Sequence, residues 1–314
     1  MAKFAGGSTY NFALSGNQAN GFFIPEIYSK KVQIALRKAA VAEAICNTDY
    51  MGEIANFGDT VNIIKEPQIT VNDYTRGLTV NSTNLTDEEL VLTIDQAKSF
   101  SFKLDDLERR FSHVNFQAIA SDNAAYKLKD AMDANILAAI NAGAAVTNGM
   151  GTTGTPIDIG FASGEVDPLN QMALAALELD KNSVAEEGRW FVAHPEWYNV
   201  LSNTASKLLS VDFNAGQGSI RNGLVASGQL RGFTMYKSTN VPTNDLSGAS
   251  PAGSATAPVA LFGHISATSA ASAMNKVETV RDTATFSDIV RGLMVWGRKV
   301  LRTDAVGKII YVID

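Results

Sequence analysis

Residues 89–105 read ELVLTIDQAKSFSFKLD, a stretch in which apolar and polar side chains alternate. Between positions 90 and 104 every even position is apolar except Gln96 and Lys98. A period of two predicts a half-buried strand. If extended, these residues would span roughly 50 Å, far more than a usual strand of about 5 to 6 residues. We therefore predict a bend or bulge between Gln96 and Lys98, and an arm that leaves the compact body.

A long helix is predicted directly after this strand, over residues 112–143. Ser112 and Asn115 are candidate N-caps, and Gly143 is a candidate left-handed terminator. From 116 to 141 the helix would be about 39 Å long, so we interpret it as a scaffold. One face is apolar: Phe116, Ile119, Ala120, Ala124, Leu128, Ala131 and Ala138. Lys129 and Asp133 are spaced as an i,i+4 ion pair. With three others they lie largely off the apolar face: Gln117, Asp122, Lys129, Asp130 and Asp133.

Composition bounds the class of protein. A chain of 314 residues, 46% of them hydrophobic, exceeds the size at which single cores usually stop growing, so two or more lobes are expected. The net charge of −6 and a pI near 5.2 argue against a surface that grips nucleic acid throughout.

The single cysteine, Cys46, excludes an internal disulfide and a cysteine-based zinc site. Its apolar surroundings predict a buried, inert thiol. No run of 18 apolar residues and no leader with a basic segment before an apolar one is present. We expect a soluble protein of a reducing compartment, with no export signal and no membrane partner.

The N-terminal part combines an arm with a basic helix. Residues 1–20 are too poor in apolar side chains to fold alone, so a partner surface is expected to hold them. Pro25 opens a predicted helix that runs to about Ala44. Its cations have no acidic residue among them, and they fit either a solvated face or docking onto an acidic neighbour. They are Lys30, Lys31, Arg37 and Lys38.

Residues 66–89 form a polar, turn-rich excursion between strands predicted at 61–64 and 90–104. Against Arg76 stand five acidic residues: Glu66, Asp73, Asp87, Glu88 and Glu89. An isolated two-stranded hairpin is only marginally stable in water. The excursion is therefore expected to lie on another subunit and to meet the basic residues of a neighbour's first helix.

Catalytic, metal and nucleotide sites are not predicted. Gly149, Gly151 and Gly154 have the spacing of a dinucleotide motif but follow a helix and precede a proline, which is the wrong context. No G-x-S-x-G elbow occurs. The three histidines, His113, His194 and His264, lack the spacing of metal ligands. His194 and Glu196 resemble the start of a zinc-deaminase signature, but no CxxC completes it. Asp105, Asp106 and Glu108 lie just before the predicted long helix. We interpret them as acidic residues that interact favourably with the helix dipole, and not as a catalytic acid and base.

A second α/β region is predicted after a Gly/Thr/Ser-rich linker at 147–164. Asp167 and Pro168 mark the start of a helix that runs to about Leu179. Residues 194–196 start a second, short helix at 197–201. Strands are predicted at 188–193, 230–237, 258–265, 274–280 and 308–313. Residues 289–301 are apolar enough to return to a core.

Six motifs occur in a characteristic order and spacing: IPEIYS (24–29), GDTVNI (58–63), LTIDQAKSFSF (92–102), GRWFVAHP (188–195), GFTMYKSTNVP (232–242) and RGLMVWGRKV (291–300). With the arm and the long helix, they resemble the major capsid protein of a tailed bacteriophage with the HK97-type shell fold, closest to the P22 coat-like and marine phage group.

The resemblance implies an α+β fold with an N-terminal arm, an extended β-hairpin loop, a long spine helix in a peripheral domain, and an α/β axial domain. The implied ranges are 1–45 for the arm and first helix, 57–96 for the loop, 46–56 with 97–165 for the peripheral domain (spine helix 112–143), 166–285 for the axial domain, and 286–314 for a segment returning to the body.

The implied function is non-enzymatic and needs no cofactor: hexamers and pentamers of the chain would form an icosahedral head shell around double-stranded DNA, assembled in the host cytoplasm and retained in the virion. A separate scaffolding protein and a portal are implied partners, while decoration proteins and crosslinking stay open. DNA contact is expected to be indirect, given the acidic charge balance. An encapsulin-like compartment shell protein and a sheet-rich binding module remain alternatives.

Overall fold

The computed structural model describes residues 37–38, 40–49, 60–64, 69, 71, 73, 76–77, 89–106, 116–203, 229–245 and 256–313. Within these ranges the fold is mixed α+β. The helices are α1 (Ala42–Ile45), α2 (Phe116–Gly143), α3 (Pro168–Lys181) and α4 (Pro195–Leu201), with short 3-10 helices at Ile265–Ala267 and Thr303–Ala305. The strands are β1 (Thr60–Ile64), β2 (Glu89–Thr93), β3 (Gln96–Asp105), β4 (Ile157–Asp158), β5 (Arg189–Ala193), β6 (Gln229–Leu230), β7 (Phe233–Lys237), β8 (Thr243–Asp245), β9 (Thr256–His264), β10 (Thr268–Arg281), β11 (Ser287–Val300) and β12 (Val306–Val312).

The main core lies on a seven-stranded sheet of order β4-β12-β9-β5-β7-β6, in which β8 also pairs with β9. β5 is buried along its whole length, as its apolar run predicts. Its Phe191 packs against Trp197 and Phe233, and Trp197 packs edge-on against Tyr311 with 4.8 Å between ring centroids. Fully burying one such side chain contributes about 1.5–3 kcal/mol.

Two polar interactions fix helix α3: a cap at its start, and an ion pair that joins it to strand β5. The Asp167 carboxylate accepts the N–H of Leu169 at 2.8 Å, which confirms the predicted cap. Arg189, the first residue of β5, is 4% exposed. Its guanidinium donates to the Asp180 carboxylate at 2.6 Å and to the Val184 carbonyl at 2.6 Å. The buried guanidinium at the start of β5 is thus paired with a carboxylate and a carbonyl.

The prediction of one continuous strand at 230–237 is wrong, because the structure has a hairpin there. Leu230 pairs with Phe233, so β6 and β7 are joined by a two-residue turn. The turn residues Arg231 and Gly232 have φ values of 52° and 82°. Positive φ at both central positions is what a type I′ hairpin turn requires.

A three-stranded antiparallel sheet has the order β10-β11-β3. The long strand expected at 90–104 breaks at Ile94–Asp95, two residues before the predicted bend. The reason is Gly297 of β11, where an added Cβ would lie 2.5 Å from the Thr93 carbonyl oxygen and 3.0 Å from the Ile94 Cα. The chain crosses β11 closely at this glycine and joins the ladder only at Gln96, opposite Trp296.

The two-stranded sheet pairs β1 with β2, from Thr60 opposite Thr93 to Ile64 opposite Glu89. This confirms the predicted pair of strands at the base of the excursion. A small separate core, which includes Leu92, Ile94 and Val295, lies where this sheet meets β11.

Helix α2 ends at Gly143 as predicted, although Gly143 is not among the residues with positive φ. A Cβ there would lie 2.7 Å from Val300 Cγ2, so glycine permits close packing on β11. Ser112 and Asn115 lie outside the described residues. Two predictions for the faces are wrong, because Ala138 is exposed and Asp133 is 2% exposed. The buried apolar positions are Leu128, Met132, Ile136, Leu137 and Ile140.

The helix predicted from Pro25 to Ala44 is also wrong at its described end. Arg37, Lys38 and residues 40–41 are not helical, and α1 covers only Ala42–Ile45. Residues 25–36 lie outside the described part of the chain. Cys46, which follows α1, is 4% exposed, as predicted. Burial, with a smaller effect from Asp133, raises the pKa of its thiol to about 12.

Candidate assembly surfaces

The charged residues predicted to contact other subunits are described only in part. Lys30, Lys31, Glu66, Asp87 and Glu88 lie outside the described residues. The other five are all exposed: Arg37, Lys38, Asp73, Arg76 and Glu89.

The two described cations of the N-terminal segment lie against helix α2. The Arg37 guanidinium lies 5.6 Å from the centroid of the Tyr126 ring. The backbone N–H of Lys38 donates to the Tyr126 hydroxyl at 2.8 Å, and its Nζ donates to Asn240 Oδ1 at 2.9 Å. Among the described ion pairs, none joins Arg37 or Lys38 to Asp73 or Glu89 within one chain. These cations therefore already help to attach their own segment to α2.

Asp133 fastens the same segment from inside the core. Its Oδ1 accepts the backbone N–H groups of Val41 and Ala42, each at 2.7 Å. Its Oδ2 accepts the side-chain amide of Asn240 at 2.9 Å, and that amide also donates to Asp130 at 2.6 Å. The predicted Lys129–Asp133 pair is wrong, because Lys129 instead pairs with Glu43 at 2.8 Å.

Sequence reasoning missed the role of Asp133, although a signal exists. Asp133 lies directly after Met132 and four residues before Leu137, both of which are buried on α2. An acidic residue within a buried helical stripe must have partners, because an unpaired buried charge is costly. The partners lie 92 and 107 residues away, so the sequence does not identify them.

The three-stranded sheet carries a dense set of ion pairs at the end where β10 turns into β11. Arg281 contacts both Asp106 and Asp288, and Lys103 contacts Asp282. The Lys103 side chain, with Thr285 and the Ala284 N–H, holds the pKa of the Asp282 carboxyl well below its usual range. Asp106 therefore has a structural role, as predicted, but its partner is an arginine; Glu108 lies outside the described residues.

Further along the same sheet, Arg291 of β11 donates to Glu278 of β10. This hydrogen bond, with the positive charge of Arg291 and a smaller effect of Lys276, lowers the pKa of Glu278. Arg298 pairs with Asp95 at 3.1 Å, where the chain crosses between the two smaller sheets. These pairs are exposed, so each adds little to stability; their main effect is to fix the register of the strands.

Exposed apolar side chains are concentrated on the two smaller sheets and the loops that extend them. Of nine large apolar residues exposed in the described part of the chain, seven lie there, and only Leu177 and Ile265 lie elsewhere. The seven are Ile69, Val71, Val91, Val277, Val280, Phe286 and Leu293. Thin sheets with small cores of their own and exposed apolar residues are typical of surfaces that another protein covers.

Searches for other kinds of site gave less. Across the described ranges no group of three or more His, Cys, Asp or Glu residues could hold a metal ion. None of the helices described is both long and apolar enough to span a membrane.

The family model for phage capsid protein matches residues 87–309. This span is well over half of the chain and includes both the spine helix α2 and the three-stranded sheet. The chain belongs to the phage capsid protein family. No curated protein sequence matched it.

Solved structures agree with the family match. A structure from Mycobacterium phage Che8 has a TM-score of 0.74 with this capsid protein at 26% identity, over 93% of this chain and 98% of that one. The capsid structure of the cyanophage P-SCSP1u gives 0.70 at 19% identity, over 93% and 94%. The asymmetric unit of the bacteriophage PhiM1 mature capsid gives 0.66 at 17% identity, over 92% of each chain. The two matches below 25% identity show the fold alone.

The expected α+β, HK97-type capsid fold is confirmed. The expected identity as a tailed-phage major capsid protein, which forms the shell of the phage head, is confirmed by the family match together with these structures. The family match therefore favours a phage capsid protein over an encapsulin-like shell protein or a binding module.

Proposed function

We propose that this capsid protein encloses double-stranded DNA in an icosahedral shell of hexamers and pentamers, and that it works by association and not by catalysis. The observation that supports this most directly, beyond family membership, is the concentration of exposed apolar side chains on the two smaller sheets. Rotational symmetry can close such contacts into rings, and rings can tile a shell.

Electron microscopy of the purified full chain tests this proposal. The expected result is closed shells, either from the chain alone or after a scaffolding protein is added. A protein that stays monomeric under both conditions would contradict it. Nuclease-protected DNA in particles from infected cells separates a DNA-filled head from an empty compartment.

We further propose that the acidic excursion, Glu66, Asp73, Asp87, Glu88 and Glu89 with Arg76, lies over a neighbouring subunit and meets its Lys30, Lys31, Arg37 or Lys38. Asp73 and Glu89 are exposed and have no described ion pair within their own chain. Each exposed pair contributes only about 0–1 kcal/mol, so the effect depends on summation over many copies.

Charge reversal tests the proposed pairing. Asp73→Lys combined with Glu89→Lys should weaken assembly, and Lys30→Glu with Lys31→Glu should partly restore it. Asp122→Lys, an exposed change on α2, is the matched control. An assembled structure that places the excursion more than a Debye length of about 8 Å from every neighbouring cation would eliminate the pairing.

The proposed domain division is that given by the resemblance: arm and first segment 1–45, loop 57–96, peripheral domain 46–56 with 97–165, axial domain 166–285 and return segment 286–314. One part of it has support: Trp296 of the return segment donates its indole N–H to Asn135 of α2 at 3.2 Å, so this segment lies on the spine helix. In hydrogen exchange of the unassembled chain, the peripheral and axial domains should open as separate cooperative units.

The proposed partners are other copies of the chain, a separate scaffolding protein and a portal, with assembly in the host cytoplasm. DNA contact is proposed to be indirect, because the net charge of −6 disfavours tight phosphate binding. Affinity purification of assembling particles from infected cells should recover both partners. A purified chain that bound DNA tightly at physiological salt would contradict the indirect contact.

A further inference from the structure

Phe286 is the most exposed aromatic side chain in the described part of the protein, at 81% exposure. It lies in the turn between β10 and β11, at the tip of the three-stranded sheet. The same sheet also exposes Val277, Val280 and Leu293. Several exposed apolar side chains on one sheet, rather than one alone, are typical of a binding surface.

The backbone around Phe286 is held firmly in place. The Phe286 carbonyl accepts the N–H of Asp106 at 3.0 Å, across from the end of β3. Beside it, the N–H of Asp282 donates to the Ser287 carbonyl at 3.0 Å, and Asp282 Oδ1 accepts the N–H of Ala284 at 3.0 Å. Thr285 Oγ1 donates to Asp282 Oδ2 at 2.6 Å. A turn fixed in this way loses little conformational freedom when its side chain is bound.

The charges behind this turn already have partners within the chain. Arg281 contacts Asp106 and Asp288, and Lys103 contacts Asp282. With Asp105, the tip carries four carboxylates and two cations, a net charge of −2. Such a surface does not attract a phosphate backbone. The exposed group that remains at the tip is the apolar Phe286 ring, which suits an apolar protein surface.

We infer that Phe286 is an anchor residue that inserts into an apolar site on another copy of this chain. This inference rests on the proposed self-assembly. A second copy is the occupant favoured by the family match, because a shell packs each copy against others, and by the further exposed apolar side chains that each copy offers. Rigid aromatic residues of this kind dominate the binding energy of many interfaces.

Substitution gives the first test. Phe286→Ser should raise the protein concentration needed for shell formation by roughly tenfold or more, while Phe286→Leu should retain most assembly. Because the side chain is exposed, the thermal unfolding of the unassembled Ser variant should match that of the wild type. Leu177→Ser, which removes an exposed apolar side chain from α3, is the matched control and should assemble normally.

Cysteine labelling gives the second test and does not depend on a damaged interface. Cys46 is buried, so it will not react with a maleimide, and Phe286→Cys introduces one accessible thiol. A trace of this variant, co-assembled with wild-type chain, should label rapidly before assembly and lose its labelling in closed shells.

The outcomes separate the two proposals. A wild-type chain that forms no shells contradicts the proposed function. Shells of normal yield and stability from Phe286→Ser, or equal losses with Leu177→Ser, overturn the anchor while self-assembly stands. Labelling at position 286 that persists in closed shells, or that disappears only when a scaffolding or decoration protein is added, also overturns it.

Discussion

Asp133 Oδ2 accepts a hydrogen bond of 2.9 Å from Asn240 Nδ2, beneath the segment that follows the N-terminal arm. Asp133 is on the spine helix, and Asn240 follows β7 of the large sheet. Since the other carboxylate oxygen binds Val41 and Ala42, one side chain connects three separate parts of the chain.

Asp133→Asn should therefore lower the free energy of unfolding by about 1–3 kcal/mol. The new amide can still accept from Val41 and Ala42, but its N–H₂ group would face the N–H₂ of Asn240. Denaturant unfolding measures the loss, and hydrogen exchange at residues 41–46 should rise with it. Asp122→Asn on the exposed side of the same helix should change neither. Adding Asn240→Asp to Asp133→Asn should not restore the stability, because the new carboxylate would face Asp130, to which the native amide donates at 2.6 Å.

Gly297→Ala should destabilise the protein by about 1–3 kcal/mol through crowding. The added methyl group would meet backbone atoms of Thr93 and Ile94, which cannot move as a flexible side chain can. Thermal unfolding of the unassembled chain measures the effect. Gly154→Ala, whose Cβ would find its nearest neighbour 3.9 Å away, serves as the control. Equal melting temperatures for the two variants would refute the close crossing.

Arg189→Lys should cost about 1.5–3 kcal/mol, because lysine cannot reproduce the fork that contacts Asp180 and two carbonyls at once. The guanidinium Nε also donates to the Ala185 carbonyl at 2.9 Å. Chemical denaturation followed by tryptophan fluorescence is a suitable measurement, since Trp190 is the next residue. In contrast, Arg302→Lys at an exposed pair with Asp304 should stay within about 0.5 kcal/mol of the wild type.

The tip of the three-stranded sheet should loosen in acid. The pKa of Asp282 is lower in the folded protein than the value of about 3.9 expected when unfolded. A lowered pKa means that the contribution of Asp282 is present above about pH 4 and is lost as the pH falls through the folded value. Asp282→Asn should reduce amide protection at residues 282–287 at pH 6, and the difference from wild type should shrink below pH 4. An NMR titration of the Asp282 carboxyl with a midpoint above 4 would contradict this assignment.

Local signals in the sequence predicted the elements that local chemistry decides. Asp167 and Pro168 give the start of α3, and the apolar run at 189–193 gives β5. Each depends on neighbours a few residues away. The same holds for β1 and β2, whose alternation and polar connection predicted their pairing.

Features that depend on distant residues were missed or misplaced. The strand predicted at 90–104 breaks where it crosses Gly297, which lies about 200 residues further along the chain. Arg231 and Gly232 form a turn inside an alternating run that alone predicts one strand. The ion pairs of the three-stranded sheet join β10 to β11, and the end of β3 to Arg281 and Asp282, so they follow only once the strands are paired. No pattern within the sequence singled out Phe286, since exposure is a property of the fold.

The position of β12 bears on how the protein is synthesised. β12 inserts between β4 and β9, although it follows both in the chain. A nascent chain on the ribosome can therefore form helices α2 and α3 early, but it cannot close the large sheet before residue 312 has emerged. Arrested nascent chains that end before residue 306 should stay sensitive to protease in this region. Late closure of this kind would keep unfinished polypeptides out of a growing particle.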